Sequence, residues 1–300
     1  MITVTVPAKV NLQLSVGPLR ADGYHDLATV FHAVDLTDHV RIERAEPGHG
    51  ISVEVTGRQA DAVPVDASNL AVKAVALLVE THGVSPDVHL TIEKAIPVAG
   101  GMAGGSADAA GALVAVDALY GLRLSRSDLD ALAAQLGSDV PFALHGQTMI
   151  GRGRGEHLTP ILGSGSYHWV FAFPEGGLST PAVYAECDRL RAGTAVPEPH
   201  IDDALLLALR AGDARAVGAA LSNDLQDAAI ALRPDLARLI DAGLDLGALG
   251  GIVSGSGPTC AFLVWDADSA LDLAVALTAT GLCRDVRRAS GPAPGARVES

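Results

Sequence analysis

The chain has 300 residues, of which 49% are hydrophobic and 19% charged, a composition that excludes a disordered protein and makes two domains the starting expectation. With 35 Asp and Glu against 21 Lys and Arg the net charge is -14, which argues against nucleic acid or an anionic membrane as partner. Cys187, Cys260 and Cys283 form neither a disulfide framework nor a CxxC metal site, and no apolar run reaches membrane-spanning length, so the expected compartment is the cytoplasm.

The first element reads as a strand. Val10, Leu12, Leu14 and Val16 alternate with Lys9, Asn11, Gln13 and Ser15, which puts Lys9 and Asn11 on the face opposite the aliphatics. A glycine-bearing link over 17–24 leads to an apolar stretch over 27–36, and strands follow over 40–55 around a turn at 48–50. After a loop at 61–66, Asn69 caps a helix over 70–82 that Gly83 stops, with Lys73 solvated on it. Residues 88–92 form a strand, a helix follows Ser106 as far as Gly121, and another begins after Ser125, where Asp128 completes a capping box. That helix ends at Gly137, two residues before Asp139.

Residues 142–150 read as a strand and 151–156 as a tight turn, and a turn-rich stretch then divides 1–160 from 161–300. The second part shows a strand over 167–173, helices over 201–210, 213–221 and 234–242, and strands over 261–265 and 283–287 enclosing a helix over 267–280. The tail from Ser290 reads as frayed. This alternation predicts an α+β fold with mixed sheet and helix layers in each domain.

The most informative stretch is Ile96-Pro97-Val98-Ala99-Gly100-Gly101-Met102-Ala103-Gly104-Gly105-Ser106-Ala107. A small-residue loop feeding a helix leaves backbone N–H groups converging on one spot, where the aligned peptide dipoles favour an anion; phosphate is the expected guest. Close strand–helix packing is the alternative use of such glycines. No Lys follows Gly105 and Gly-x-Gly-x-x-Gly spacing is absent, so neither the P-loop nor the dinucleotide fingerprint applies.

This stretch resembles the phosphate loop of the galactokinase, homoserine kinase, mevalonate kinase and phosphomevalonate kinase superfamily, written Pro-x-Gly-Ala-Gly-Leu-Gly-Gly-Gly-Ser-Ser-Asp-Ala-Ala. Ala99, Gly100, Met102, Ala103 and Ala107 depart from that form, which leaves Ser106 as the hydroxyl facing phosphate or metal. Alanine in place of two glycines implies a backbone there in the region open to all residues. Four further segments resemble the 4-diphosphocytidyl-2-C-methyl-D-erythritol kinase branch: Pro7-Ala8-Lys9-Val10-Asn11-Leu12 with Arg20-Ala21-Asp22-Gly23-Tyr24-His25, then 136–142, 151–160 and 253–259. Together they span essentially the whole chain.

The resemblance implies ATP as phosphoryl donor with Mg2+, an acceptor with a cytidine diphosphate headgroup phosphorylated on its 2-hydroxyl, and a monomer or weak dimer. It implies that Asp139 takes or orients the hydroxyl proton beside Lys9, a pairing in which the cation favours the charged carboxylate. ATP binding falls to Pro97, Val98, Ala99, Gly100, Gly101, Met102, Ala103, Gly104, Gly105, Ser106, Ala107 and Asn69, with Ser106 also a metal ligand. Acceptor binding falls to Asn11, Tyr24, His25, Tyr184 and Gly257. By residue type His25 is equally a general base, and Tyr184 a core or rim tyrosine. A sister kinase acting on mevalonate or homoserine, or a nucleotide-binding regulator without turnover, are the competing readings.

Overall fold

A computed structural model describes residues 1–98 and 100–299. The amino-terminal half is built on two long strands, β1 (Ile2–Leu19) and β2 (His25–Arg44), paired antiparallel with irregularities at Pro7/Ala8 and Asn11/Gln13. β3 (Ile51–Gly57) and β4 (Val88–Lys94) extend the sheet on one side, and the hairpin of β5 (Thr148–Gly153) and β6 (His157–Pro160) joins β2. Helices α1 (Leu70–His82), α2 (Gly104–Tyr120), α3 (Arg126–Leu136) and the short α4 (Val140–His145) cover this sheet and share its aliphatic core. Asn69 accepts from Ala71 N at 2.8 Å, and the Ser125/Asp128 capping box is formed, so these two helix starts lie where their side-chain chemistry put them.

In the second half β7 (Tyr167–Phe173) is followed by α5 (Thr180–Leu190), α6 (Asp203–Ala211), α7 (Ala214–Ala219), the two-residue β8 (Ser222–Asn223), α8 (Gln226–Leu232) and α9 (Asp235–Asp245). Then come β9 (Gly250–Val253), β10 (Cys260–Val264), α10 (Ala267–Thr280), β11 (Asp285–Gly291) and β12 (Arg297–Val298). Strands β11-β7-β10-β9 form the second sheet in that order, with Trp169, Phe171 and Phe262 fully buried on it. Two sheets with helical layers make this an α+β fold.

Three readings of the sequence are corrected. Residues 142–150 are not one strand: Val140–His145 is helical, Pro141 occupying its first turn, and the strand begins only at Thr148. The tail is not frayed, because Arg297–Val298 pairs with β1, and Ala293 and Ala296 are buried; the strand expected over 283–287 runs on to Gly291. β8 also pairs with β1, so the amino-terminal sheet takes strands from beyond residue 160. Third, Ala103 has φ 59° and ψ 32°, in the left-handed region, where a backbone open to all residues was expected. A Cβ there costs about 1–2 kcal/mol. Helices α5 and α8 have no counterpart in the sequence reading.

Candidate active site

The polar face of β1 is not solvated: Lys9, Asn11 and Gln13 are all buried, beneath a cleft of about 1080 Å³. Thr29 Oγ1 donates to the Gln13 carbonyl at 2.6 Å, Asn11 Nδ2 donates to Thr29 Oγ1 at 2.7 Å, and Lys9 Nζ donates to Asn11 Oδ1 at 2.6 Å. Each group in this chain fixes the next, so the ammonium is held in one place. Asn11, expected to bind the acceptor, lines the cleft, and its amide also aims Lys9 by accepting from Lys9 Nζ and donating to Thr29.

Lys9 Nζ lies 3.9 Å from Asp139 Oδ2 and 5.8 Å from the centre of the Phe31 ring. Burial pulls the Lys9 pKa below its ordinary 10.5, against the opposing pull of the Asp139 carboxylate. Asp139 sits at the N-cap of α4, yet its side chain makes no capping bond and lines the cleft. A partly exposed carboxylate beside a buried ammonium is suited to accept a proton from a hydroxyl while the cation offsets charge on the oxygens around it.

At the other end of the cleft lies the glycine loop. Ala103 is the N-cap of the 17-residue α2 and gives it no side-chain cap, in contrast to Asn69 on α1 and Ser125 on α3. The N–H groups of the first turn of α2 are thus left for an anion. Of the residues expected to bind ATP, Pro97, Val98, Gly100, Gly101, Ala103, Gly104, Gly105 and Ser106 line the cleft. Met102 and Ala107 do not: both side chains are buried in the core, and Met102 takes part through its carbonyl, which accepts from Lys9 N at 3.3 Å. Ala99, also expected here, lies outside the described residues. Asn69 lines the cleft while its amide caps α1 and donates to the Pro64 carbonyl at 2.7 Å, so both ends are spoken for within the protein.

Beneath the loop is a buried charge cluster that the sequence reading missed. Lys94 Nζ donates to Asp38 and, at 2.7 Å, to Asp108 Oδ2, while Asp38 Oδ1 accepts from Ala95 N at 2.6 Å and Ile96 N at 2.8 Å. Burial opposes the charge on Lys94, yet Asp108 and Asp38 together hold its pKa above the ordinary value; burial likewise pushes the Asp108 carboxyl upward against the pull of Lys94. The cluster pins the entry to the glycine loop to β2 and to α2. Its one sequence signal is Asp108 amid the alanines of a buried helix face. Asp108 Oδ1 is buried with no hydrogen-bond partner among the described residues, and Asp108 and Ser106 are the residues with hard oxygen donors in the lining at this end of the cleft. Those donors suit Mg2+ held mainly by phosphate and water, and no group of three metal-ligating side chains occurs among the described residues.

The third wall carries the aromatic groups. Tyr24 is exposed, with the Arg154 guanidinium 5.2 Å from its ring centre, and the buried His25 ring lies 5.2 Å from that of Tyr184, tilted by 33°. His25 Nε2 meets Asp188 Oδ1 at 2.8 Å, a partner with no motif to betray it in the sequence. Burial, and then the Asp139 charge, raise the Tyr184 pKa, so its hydroxyl stays neutral. Gly257, expected to touch the acceptor, is turned inward, and an added Cβ would stand 2.8 Å from Val253 Cγ1. Gly255 and Ser256 of the same turn face the cleft instead, Gly255 within 3.3 Å of Lys9 Nζ by the same measure.

The sequence matches the GHMP kinases N terminal domain over residues 69–147 and GHMP kinases C terminal over 205–282. Relatives named 4-diphosphocytidyl-2-C-methyl-D-erythritol kinase include one from Mycolicibacterium smegmatis, 57% identical over 299 residues, covering 99% of this chain and 92% of its own length. One from Thermobifida fusca is 57% identical over 303 residues, covering 99% and 98%. A crystal structure of 4-(cytidine 5'-diphospho)-2C-methyl-D-erythritol kinase superposes with TM-score 0.79 at 34% identity, covering 96% of this chain and 98% of that one. A homoserine kinase from Cytophaga hutchinsonii, at TM-score 0.74 and 19% identity over 99% and 97%, shares the fold.

Proposed function

The chain belongs to the GHMP kinases, in their 4-diphosphocytidyl-2-C-methyl-D-erythritol kinase branch, and from that premise we propose how its cleft divides the work of moving the γ-phosphoryl group of ATP. The enzyme is an ATP-dependent kinase that phosphorylates the 2-hydroxyl of 4-diphosphocytidyl-2-C-methyl-D-erythritol, a step of the non-mevalonate route to isoprenoid precursors. The observation that carries the division is the uncapped start of α2 at one end of a cleft whose other end holds the Lys9–Asp139 pair.

In this reading the N–H groups of 104–106 hold the ATP phosphates, with the Asn69 end of the cleft receiving the nucleoside. Ser106 and Asp108 are the side chains that would hold Mg2+ alongside phosphate oxygens, and the ion would supply charge neutralisation there. Asp139 accepts or orients the proton of the 2-hydroxyl, and Lys9, fixed by Asn11, offsets charge on the attacking and transferring oxygens. Tyr24 and Tyr184 offer ring faces to the cytosine, and His25, oriented by Asp188, meets its edge. Residues 1–160 supply the nucleotide and catalytic groups, and 161–300 close the acceptor side through Tyr184 and Gly255. Both substrates are water-soluble nucleotides, and a cytoplasmic setting for the reaction suits them.

The test is ADP formation with cytidine- and uridine-headed acceptors. Stacking is nearly indifferent to the base and contributes about 1–3 kcal/mol, so Tyr24→Ala should weaken both acceptors. Discrimination rests on edge hydrogen bonds, so His25→Ala should erode the preference for cytidine. Asp139→Asn should lower turnover by about 10²- to 10⁴-fold while leaving ATP binding intact. Efficient phosphorylation of free methylerythritol, or no base preference in the wild type, would reject the acceptor assignment.

A further inference from the structure

A second cavity of about 310 Å³ has Arg58, Gln59, Pro97, Phe173, Arg284 and Asp285 in its lining. Its charge runs against that of the whole chain. Asp285 Oδ2 is shared between Arg58 Nη1 at 3.1 Å and Arg287 Nη2 at 2.9 Å, while Arg284 has no acidic partner among the described residues. The cavity wall thus carries two guanidinium groups against one carboxylate in a protein of net charge -14. The Arg58 side chain is 65% exposed and Arg284 is exposed as well, so the guanidinium donors that Asp285 leaves free are open to a ligand from solvent.

The cavity is also wired to the loop. Arg58 N donates to the Lys94 carbonyl at 3.0 Å, and Gln59, held in the left-handed region at φ 56°, accepts from Val98 N at 3.1 Å through its side chain. Pro97 forms part of the wall of both cavities. We propose that this second cavity is a regulatory site for a small diphosphate-bearing anion, whose binding weakens nucleotide binding at the phosphate loop.

Arginine guanidinium groups suit bidentate phosphate recognition, and the cavity volume admits a diphosphate group with little else attached. To reach the anion, Arg58 leaves Asp285 and draws its neighbour Gln59 with it. Val98 N then loses its acceptor, and the start of the phosphate loop loses a tether. This inference goes beyond the phosphoryl transfer proposed above, and its binding test does not depend on turnover.

The experiment is calorimetric titration of the full chain, loaded with a non-hydrolysable ATP analogue so that the phosphate loop is filled, with inorganic diphosphate and, in a second arm, methyl diphosphate. One site is expected in the wild type. Arg58→Ala/Arg284→Ala should weaken it by about 10- to 100-fold, the loss of one or two charge-assisted contacts, without changing affinity for the analogue alone. Asp285→Asn, which removes the competing carboxylate, should strengthen it, so the proposal does not hang on a loss. Diphosphate competes directly for the phosphate loop in both proteins, and beyond that shared effect it should lower analogue affinity by about fivefold or more in the wild type alone. Tighter binding of the methyl ester would mark an organic diphosphate as the ligand, and tighter binding of the free ion would mark inorganic diphosphate. Absence of binding to the loaded protein, binding indifferent to both arginines, or a shift in analogue affinity no larger in the wild type than in the double variant would each overturn the proposal.

Discussion

Gly101→Ala should disable the nucleotide end of the cleft through a contact that the glycine pattern alone does not reveal. Gly101 has φ +74°, and an added Cβ would lie 2.1 Å from the Ser254 carbonyl oxygen, 3.1 Å from its carbon and 3.2 Å from Gly257 N. All three are backbone atoms of a turn closed on itself by Gly257 N to Ser254 O and Ser254 N to Thr259 O, both at 2.8 Å, so the turn cannot give way cheaply. The loop must therefore retreat by roughly 1 Å to reach ordinary contact. That movement also breaks the bond from Ser254 Oγ to the Gly101 carbonyl. The left-handed backbone adds about 1–2 kcal/mol for a residue with a Cβ, and the lost hydrogen bond about 1 kcal/mol. A stability loss of about 2–3 kcal/mol corresponds to a melting temperature lower by roughly 4–12 °C. Misplacing the phosphate cradle by about 1 Å should lower kcat/KM for ATP by about 100-fold. ADP release against ATP concentration, with a thermal melt of the same sample, reads both. Gly105→Ala is the control for stability, because its Cβ meets only Leu70 Cδ1 at 3.6 Å and its φ is helical. If Gly101→Ala keeps kcat/KM within about threefold of wild type, the loop is not held against the Ser254 turn and the reasoning fails.

The Lys9 ammonium should titrate below 10.5 by nitrogen NMR, and further below in Asp139→Asn, because the carboxylate that opposes the burial effect is gone; an upward move in that variant would refute the pairing. The same shift has a sign for stability: between the lowered folded value and 10.5 the unfolded chain holds the extra proton, so the penalty from Lys9 is full below this window and fades as pH rises through it. Ala103→Gly should stabilise by about 1 kcal/mol by relieving the left-handed alanine, seen as a higher melting temperature, and a lower one would contradict that geometry. Lys94→Met, which strands two buried carboxylates, should cost about 3–5 kcal/mol in urea unfolding; a loss below about 1 kcal/mol would show that the Asp38–Lys94–Asp108 cluster is not what holds the loop entry.

What could be read in the sequence and what could not divide along the range of the forces involved. The caps at Asn69 and Ser125 act within three residues, so their chemistry is local and visible, as is the change from strand to small-residue loop to helix over 88–120. The Lys94 cluster joins residues 56 and 14 positions apart, and Asp188 reaches His25 across 163, so no spacing rule exposes them. Backbone sign is hidden too: Ala103 enters the left-handed region because the loop turns into α2 there, and the residue type argued the other way. The misread stretch at 142–150 is the most instructive. A short apolar run suits a strand or a buried helix equally, and here Pro141 in a first helical turn decides for the helix. That choice sets the chemistry. Because α4 starts at Val140, Asp139 stands at its N-cap with a carboxylate that caps nothing, free to face Lys9 across the cleft; in a strand running through this point the same residue would have no helix terminus to hold it there.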